Sequence, residues 1–434
     1  TAWRLQYACP NIKGEAYTVY TNTPVGGAMR GYGIPQVCFA IECFMDDIAK
    51  EIGMDPLEFR KKNLIKGYYE DAYLKPIAAN TNGIFECLEK GADYIHWEEK
   101  RKEYTNQTGN IRRGVGMSLF SYKTGVWPIS LEIAGARMTL NQDGSVGLML
   151  GATEIGQGAD TVFSQMTAEV LNMDISDIHI QTVQDTDVTP FDTGAYASRQ
   201  SFVTGTVVKD CANLLKEKIL AYAKELLPEE TRKLRLDHGW IMAGKDPAIS
   251  LGNLALESYY SLGNSSVITA EVSEQVKKNT IATGCATGCC FAEVEVDIKL
   301  GKIKILHIIN VHDSGKLINP KLAEMQVQGG MSMGIGYGLS EQLILDEKTG
   351  RPLNGTLLDY KLMTMMDTPD IKADFVELDD PIGPFGNKAL GEPPAIPGAP
   401  AIRNAVLHAT GVAFNENPLT PQRLIDGFIK AGLI

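Results

Sequence analysis

The sequence predicts an α+β protein in which helices pack against mixed and antiparallel sheets. A first strand pair alternates apolar and polar residues on both sides of Asp143-Gly144, a dipeptide typical of tight hairpin turns. A second strand pair reverses direction near Gly301. Single long helices are predicted at 36–52 and 200–227, where apolar residues recur every three to four positions. Strand pairs that alternate with single long helices indicate this fold class.

The remaining elements are predicted from the residues at their boundaries. Residues 65–110 are polar and lack a clear period, so they are interpreted as an irregular connection between substructures. A helix is predicted from about Asp160, and "DIHIQTVQ" (177–184) is predicted to be a strand. A capping side chain followed by proline marks three further helix starts, at Asp55-Pro56, Asn319-Pro320 and Thr420-Pro421.

Length, charge and cysteine usage exclude several classes of protein. The 434 residues predict two or more substructures. The net charge of -12 argues against nucleic acid as a partner, because nucleic-acid binding requires a basic face. Neither a membrane-spanning run nor a secretory signal is visible, so a cytoplasmic protein without membrane contact is expected. The eight cysteines lack the spacing of a metal site, which favours buried thiols.

The first residues of the chain resemble the middle of a domain. "TAWRLQYACPNIKGEAYTVYTNTP" alternates like a strand pair from its beginning. We therefore expect another polypeptide or segment to supply the other half of this domain.

One acidic residue stands in an almost uncharged stretch near the end of the sequence. In "KALGEPPAIPGAP" (388–400), Glu392 lies between a glycine and two prolines. It is either a solvent-facing residue of a turn or a carboxylate held in a dry pocket for work as a general base.

Three glycine-rich stretches, at 26–36, 151–160 and 329–338, each lie next to a predicted helix. Taken singly, each is better explained by tight helix packing than by a cofactor cradle, and none fits a phosphate-binding loop. Together with "DTGAYASRQS" (192–201), they suggest several loops that converge on one large polar ligand.

Four further positions are candidates for site residues or for structural roles. Arg30 and Tyr32 lie between glycines ahead of a helix. Either they form a pocket wall, with Tyr32 stacking on a flat substrate, or Arg30 caps a carbonyl and Tyr32 fills the core. Gln157 lies between two glycines and needs specific hydrogen-bond partners if it is buried. The pair His312-Asp313 has no accompanying serine or cysteine motif and is interpreted as structural.

These stretches, in this order, resemble the molybdenum-cofactor subunit of the xanthine oxidase family, the molybdenum hydroxylases. The resemblance runs from near residue 8 to the C-terminus and is nearest to the bacterial xanthine dehydrogenase and nicotinate dehydrogenase types. The motifs that carry it are "AMRGYGIPQ" (28–36), "GATEIGQG" (151–158), "ASRQ" (197–200), "EMQVQGG" (324–330) and "ALGEPP" (389–394).

The resemblance implies a molybdenum-dependent hydroxylase or dehydrogenase with Glu392 as its catalytic base. The family reaction oxidises a C–H carbon, here of an N-heterocycle such as the purine xanthine, with oxygen taken from water. Arg30 and Tyr32 would lie close to the metal and substrate. No side chain of this sequence would bind the metal, which the pterin holds. By similarity, the cofactor would be bound by Arg30, Gly156, Gln157, Ala197, Ser198, Arg199, Gln200 and Gln326.

The resemblance also implies partners, cofactors and a division of the chain. Residues 1–110 would be the C-terminal portion of a first molybdenum-cofactor-binding domain, and 111–434 a second such domain that carries the Glu392 loop. The cofactor would be molybdopterin in its cytosine dinucleotide form. Partner subunits would carry iron–sulfur clusters and FAD, and an N-terminal molybdenum-protein segment or subunit would complete the site.

Other functions stay open from the sequence. Within the enzyme class, the alternatives are a nicotinate dehydrogenase or an aldehyde-oxidising relative. In another class, the alternative is a non-catalytic cofactor-binding or assembly protein, which would tolerate the loss of Glu392.

Overall fold

The computed structural model contains ten α-helices and thirteen strands within the residues it describes. Those residues are 7–11, 13–66, 69–70, 76–77, 81–126, 132–181, 183–230, 232–263, 265–275 and 284–434. The helices are α1 (Ile34–Glu51), α2 (Pro56–Asn63), α3 (Ile84–Ile95), α4 (Trp97–Glu103), α5 (Ala159–Leu171), α6 (Gly205–Leu226), α7 (Leu251–Tyr260), α8 (Pro320–Leu339), α9 (Gly398–Thr410) and α10 (Pro421–Lys430). The strands are β1 (Tyr69–Glu70), β2 (Pro76–Ile77), β3 (Ile111–Lys123), β4 (Ile133–Leu140), β5 (Val146–Leu150), β6 (Ile178–Ile180), β7 (Leu234–Asp237), β8 (Trp240–Ala243), β9 (Asp246–Ser250), β10 (Thr269–Gln275), β11 (Cys285–Asp297), β12 (Lys302–Asp313) and β13 (Ile371–Phe375).

A four-stranded sheet with the order β13-β12-β11-β3, the central sheet, carries the candidate site near one end. Strand β11 is antiparallel to both β3 and β12, and β13 is parallel to β12. The β11–β12 hairpin reverses around Gly301, as predicted. One face of this sheet packs against apolar residues of α8, α9 and α10, and the other face packs against α3 and α4. Both faces are therefore buried, which explains the long apolar runs in β11 and β12.

A second four-stranded sheet, with the order β10-β4-β5-β6, packs against α5 and α6. Strands β4 and β5 form the predicted hairpin around Asp143-Gly144, and Gly144 has the positive φ of 88° that the turn requires. Strands β7, β8 and β9 form a separate three-stranded sheet beside this core.

The α+β prediction is confirmed, as are the three caps followed by proline. Asp55 accepts hydrogen bonds from the backbone N–H groups of its own first turn, and so do Asn319 and Thr420 in theirs. The predicted helix at 200–227 begins with a π-helical turn at Gln200–Thr204 and continues as α6. The predicted strand at 177–184 is shorter, since β6 has three residues.

The interpretation of residues 65–110 as an irregular connection was wrong. This segment contains α3 and α4, and α3 buries Ile84, Cys87, Leu88 and Ile95 against the central sheet. Its many charged residues lie on the outer face, and they obscured the helical spacing of the four apolar ones. The core that includes α3 also contains side chains of β3 and β11, so it extends across residue 110.

Six of the eight cysteines are buried thiols, whereas Cys9 is exposed and Cys285 is partly exposed. The thiol interpretation therefore holds for the six buried residues. Among the described helices, none combines the length and the apolar composition needed to cross a bilayer.

Candidate active site

The Glu392 carboxylate is bound by three segments that are far apart in the sequence. Its Oε2 accepts hydrogen bonds from the Tyr122 phenol at 2.7 Å and from the Ser198 hydroxyl at 3.0 Å. Its Oε1 accepts the backbone N–H of Gly31 at a longer 3.3 Å. The side chain is partly buried, with no lysine or arginine in an ion pair with it among the described residues. The solvent-facing alternative for Glu392 is therefore wrong.

Arg30 connects the Glu392 loop to α8. Its Nε donates to the carbonyl of Gly391 at 2.5 Å, and its Nη2 donates to the carbonyl and to the side-chain Oε1 of Gln326 at 3.0 and 3.1 Å. Burial lowers the pKa of Arg30, and the nearby Glu392 carboxylate opposes that shift. The guanidinium thus brings a positive charge close to Glu392 and fixes the position of Gln326.

Tyr32 lies on the surface beside these residues rather than in the core. Its side chain is 75% exposed, and its φ of 44° is in the left-handed region that non-glycine residues seldom adopt. Gly31 and Gly33 on either side also have positive φ. The core-filling alternative for Tyr32 is therefore wrong, and the strained turn leaves its ring available to a ligand.

The loop at 153–158 is held together by its own side chains. Gln157 donates to the carbonyl of Thr153 at 3.0 Å and to Oε1 of Gln200 at 2.5 Å, and it accepts the N–H of Ile155 at 2.7 Å. Its amide nitrogen is fully used within the protein, so only its oxygen retains capacity for a ligand. The hydrogen bond to Gln200 brings two sequence-predicted cofactor residues together.

Glu154 organises the same loop and was missed in the sequence. Its carboxylate accepts the backbone N–H groups of Gly156, Gly158 and Asp160 at 2.7 to 3.1 Å. Burial raises its pKa, but these N–H donors outweigh burial and lower it overall. The signal that could have revealed it is an acidic residue just ahead of glycines and a helix N-terminus.

The segment at 197–200 carries strain next to Glu392. Ala197 and Ser198 both have a φ of 50°, and the rare π-helical turn begins two residues later. The Ser198 hydroxyl accepts the backbone N–H of Glu392 at 2.9 Å while it donates to the carboxylate. Left-handed non-glycine residues persist only where their surroundings hold them, and they concentrate at functional sites.

The side chain of Arg199 does not line this site, which corrects its predicted role. It is fully buried and forms ion pairs with Glu132 at 2.7 Å and Asp192 at 2.5 Å. Its Nη2 donates to the carbonyl of Ile133, and Nη1, which pairs with Asp192, also donates to the carbonyl of Gly194. The buried ion pairs of Arg199 therefore hold the strained segment in place. Only the backbone of Arg199 is available to contact a ligand.

The glycine-rich stretch at 329–338 lies inside α8 and serves helix packing. A Cβ at Gly330 would lie 2.5 Å from Cβ of Pro394, and one at Gly334 would lie 2.8 Å from the carbonyl of Ala395. These glycines allow α8 to approach the segment that follows Glu392. The expectation that this stretch is a ligand-binding loop is corrected accordingly, although Gln326, one turn earlier, remains at the site.

His312 and Asp313 do not form a dyad, because they lie on opposite faces of β12. The His312 ring packs on Phe120 with a centroid distance of 4.6 Å, and burial lowers its pKa to about 3. Asp313 instead forms an ion pair with the buried Lys388, with 2.7 Å between its Oδ2 and the lysine Nζ. The structural interpretation of the pair is confirmed.

The exposed part of this site fits a large polar ligand. A Cβ added to Gly156 would have no atom of the described residues within 4 Å. The backbone of the 153–158 loop is therefore open where a side chain would project from Gly156. Gln326 Nε2 has no protein acceptor among the described residues, whereas its Oε1 is bound to Arg30. Unused amide groups beside open glycine backbone suit a ligand that is rich in hydrogen-bonding atoms.

The comparison with protein families places this chain among cofactor-binding domains. A model described as a molybdopterin cofactor-binding domain matches residues 90–369, and a second model with the same description matches residues 2–64. This chain belongs to the molybdopterin cofactor-binding family. The resemblance to the xanthine oxidase family, whose members are molybdenum hydroxylases, is confirmed.

Individual relatives agree with this assignment. The xanthine dehydrogenase molybdenum-binding subunit of Escherichia coli O157:H7 is 49% identical over 96% of this chain and 55% of its own length. The aldehyde oxidoreductase molybdenum-binding subunit PaoC of Escherichia coli K12 is 28% identical over 97% of this chain and 55% of its own length. The crystal structure of quinoline 2-oxidoreductase from Pseudomonas putida 86 superposes with a TM-score of 0.83 at 25% identity, covering 93% of this chain and 53% of that one. The chain thus spans about half the length of the relatives it matches.

Proposed function

We propose that this chain is part of the molybdenum-binding subunit of a hydroxylase that oxidises a C–H carbon of an N-heterocycle, a purine such as xanthine. The observation that carries the proposal is the Glu392 carboxylate, held by Tyr122, Ser198 and Gly31 at the meeting point of the family's loops. The 49% identity to a xanthine dehydrogenase molybdenum-binding subunit supports the purine as substrate.

Each side chain of the site has a role in this proposal. When bound, the molybdenum cofactor supplies the two-electron oxidation. Glu392 accepts the proton from the water-derived nucleophile, and the partly buried position of its carboxylate limits competition from solvent. Arg30 places positive charge beside the reacting groups and orients Gln326. Tyr32 stacks on the substrate ring.

The cofactor is proposed to be the cytosine dinucleotide form of molybdopterin, bound by residues from four segments. Neither of the predicted domains forms this set alone, since residues 1–110 supply Arg30 and 111–434 supply the rest. The proposed contacts use the backbone at Gly156, Ala197 and Arg199, and the side chains of Arg30, Gln157, Ser198, Gln200 and Gln326.

The proposed partners are an iron–sulfur subunit, an FAD subunit and an N-terminal molybdenum-protein segment or subunit. In support, the segment at 357–366 exposes four large apolar side chains, Leu357, Leu358, Met365 and Met366, each at least 80% accessible. Clustered apolar exposure of this kind is typical of a surface that another protein covers. The cytoplasm is the proposed location.

The experiment that tests the function is isolation of the native complex containing this chain. Mass spectrometry after size-exclusion chromatography should show the proposed partners, and metal analysis should show molybdenum. Dye-linked oxidation should proceed with xanthine and other N-heterocycles.

A complex that contains molybdenum but oxidises only aldehydes would favour the aldehyde-oxidising alternative, which the identity to PaoC supports. Oxidation of nicotinate alone would favour nicotinate dehydrogenase. A complex without turnover on any of these compounds would favour a non-catalytic cofactor-binding or assembly protein.

Tyr32 provides a prediction about the substrate class. Tyr32→Phe keeps the ring and should reduce kcat/KM for a heterocycle only mildly, whereas Tyr32→Ala removes the stacking surface. We expect Tyr32→Ala to cost about 1–3 kcal/mol of transition-state binding. The measurement is kcat/KM for xanthine in both variants. Equal values for Tyr32→Ala and the wild type would show that the exposed ring does not contact the substrate.

A further inference from the structure

The two oxygens of Glu392 have unlike surroundings. Oε2 accepts two short hydrogen bonds from hydroxyl groups, those of Tyr122 at 2.7 Å and Ser198 at 3.0 Å. Oε1 accepts one longer bond, from the N–H of Gly31 at 3.3 Å. A carboxylate oxygen has about two lone-pair sites, so both sites of Oε2 are occupied and Oε1 keeps one free.

The Tyr122 donor is fixed in place by the fold. Tyr122 lies near the end of β3 with 4% of its surface exposed, and its ring packs in a cluster with Cys38, Ala286 and Ile396. Burial, followed by the nearby Glu392 charge, raises the pKa of the Tyr122 phenol well above its ordinary value. The phenol therefore keeps its proton across the working pH range and donates a hydrogen bond to Oε2.

Ser198 completes the arrangement because its hydroxyl has one proton. The oxygen already accepts the backbone N–H of Glu392 at 2.9 Å, so the hydroxyl proton is left to donate to Oε2. Two donors on one oxygen hold the carboxylate in a single rotamer.

We propose that Tyr122 is a positioning residue that, together with Ser198, occupies Oε2 of Glu392 and reserves Oε1 for proton transfer. This inference rests on the proposed function, in which Glu392 is the base. Nothing in the local sequence reveals it, since "SLFSYK" (118–123) has the pattern of an ordinary strand. The charge of Glu392 acts on the pKa of Tyr122 from β3 and on that of Arg30 from the loop before α1.

Tyr122→Phe tests the proposal because it removes the donor and keeps the ring. The loss of one donor to the carboxylate should move the acidic midpoint of the kcat/KM pH profile for xanthine upward by about one pH unit. KM at high pH should change little. An infrared difference titration, wild type minus Glu392→Gln, follows protonation of this carboxyl without turnover and should show the same upward movement. Incorporation of 3-fluorotyrosine at position 122, a stronger donor, should move the infrared midpoint downward.

The matched control is Tyr104→Phe. Tyr104 donates to Glu293 at the same 2.7 Å on the other face of the central sheet, and its loss should leave both midpoints unchanged. An infrared midpoint for Tyr122→Phe equal to that of the wild type would overturn the inference, whatever the activity. An infrared midpoint that moves, in an enzyme whose Glu392→Gln variant retains turnover, would support the hydrogen-bond assignment and reject Glu392 as the base of the proposed function.

Discussion

Glu392→Gln is expected to give a folded, molybdenum-containing enzyme whose turnover falls by about a hundred- to ten-thousand-fold. Glutamine keeps the size of the side chain and can still accept hydrogen bonds from Tyr122 and Ser198 through its oxygen. It cannot accept a proton at neutral pH, so the general-base contribution is lost. The measurement is kcat with xanthine, together with molybdenum per protein.

Glu341→Gln is the matched control for this substitution. Glu341 is also partly buried and accepts a hydrogen bond from a tyrosine, Tyr360, at 3.0 Å. It follows the C-terminus of α8, and its carboxylate lies beside Gly336, which is ten positions from Gln326, or about 15 Å along the helix. Its replacement should leave turnover unchanged. A Glu392→Gln enzyme within tenfold of wild-type turnover would exclude this residue as the base.

Arg199→Leu is expected to destabilise the protein by about 3–5 kcal/mol, because it leaves two buried carboxylates without their partner. Arg199 is inaccessible to solvent, and it pairs with both Glu132 and Asp192. The same loss should release Ala197 and Ser198 from their left-handed conformation, so that Glu392 loses a donor. Urea unfolding of the purified protein measures the change in the free energy of unfolding.

Arg137→Leu provides the comparison for Arg199→Leu. Arg137 forms an ion pair with Glu271 at 2.8 Å in the sheet that contains β4, but both side chains are about 40% exposed or more. Exposed ion pairs contribute about 0–1 kcal/mol, so this variant should unfold close to the wild type. If both variants lose the same small free energy, the buried ion pairs of Arg199 do not hold the site together.

Short-range signals in the sequence determined much of the fold. Asp143-Gly144 predicted its hairpin because the turn requires positive φ, and Asp55, Asn319 and Thr420 predicted helix starts because each bonds within its own first turn. These interactions involve residues a few positions apart, so they can be predicted from the sequence without knowledge of tertiary contacts. The segment at 65–110 was misread because its many charged residues obscured the apolar stripe of α3, although Ile84, Cys87, Leu88 and Ile95 have helical spacing in the sequence.

The sequence motifs also predicted which residues belong to the site. Arg30, Gln326, Ser198 and Glu392 are adjacent in the structure, although up to 362 positions separate them in the chain. The family assignment is confirmed, whereas the catalytic, substrate-binding and cofactor-binding roles of these residues stay predictions. What the motifs supplied was the identity of the residues.

Only the tertiary structure decided which groups each of these side chains contacts. Arg199 belongs to a cofactor motif but points into the core, because Glu132 and Asp192 provide the buried countercharges that its guanidinium needs. Tyr122 carries no motif, yet the end of β3 brings its phenol to Oε2 of Glu392. A hydrogen bond depends on distance and direction in space, and neither is encoded by the residues next to Tyr122 in the chain.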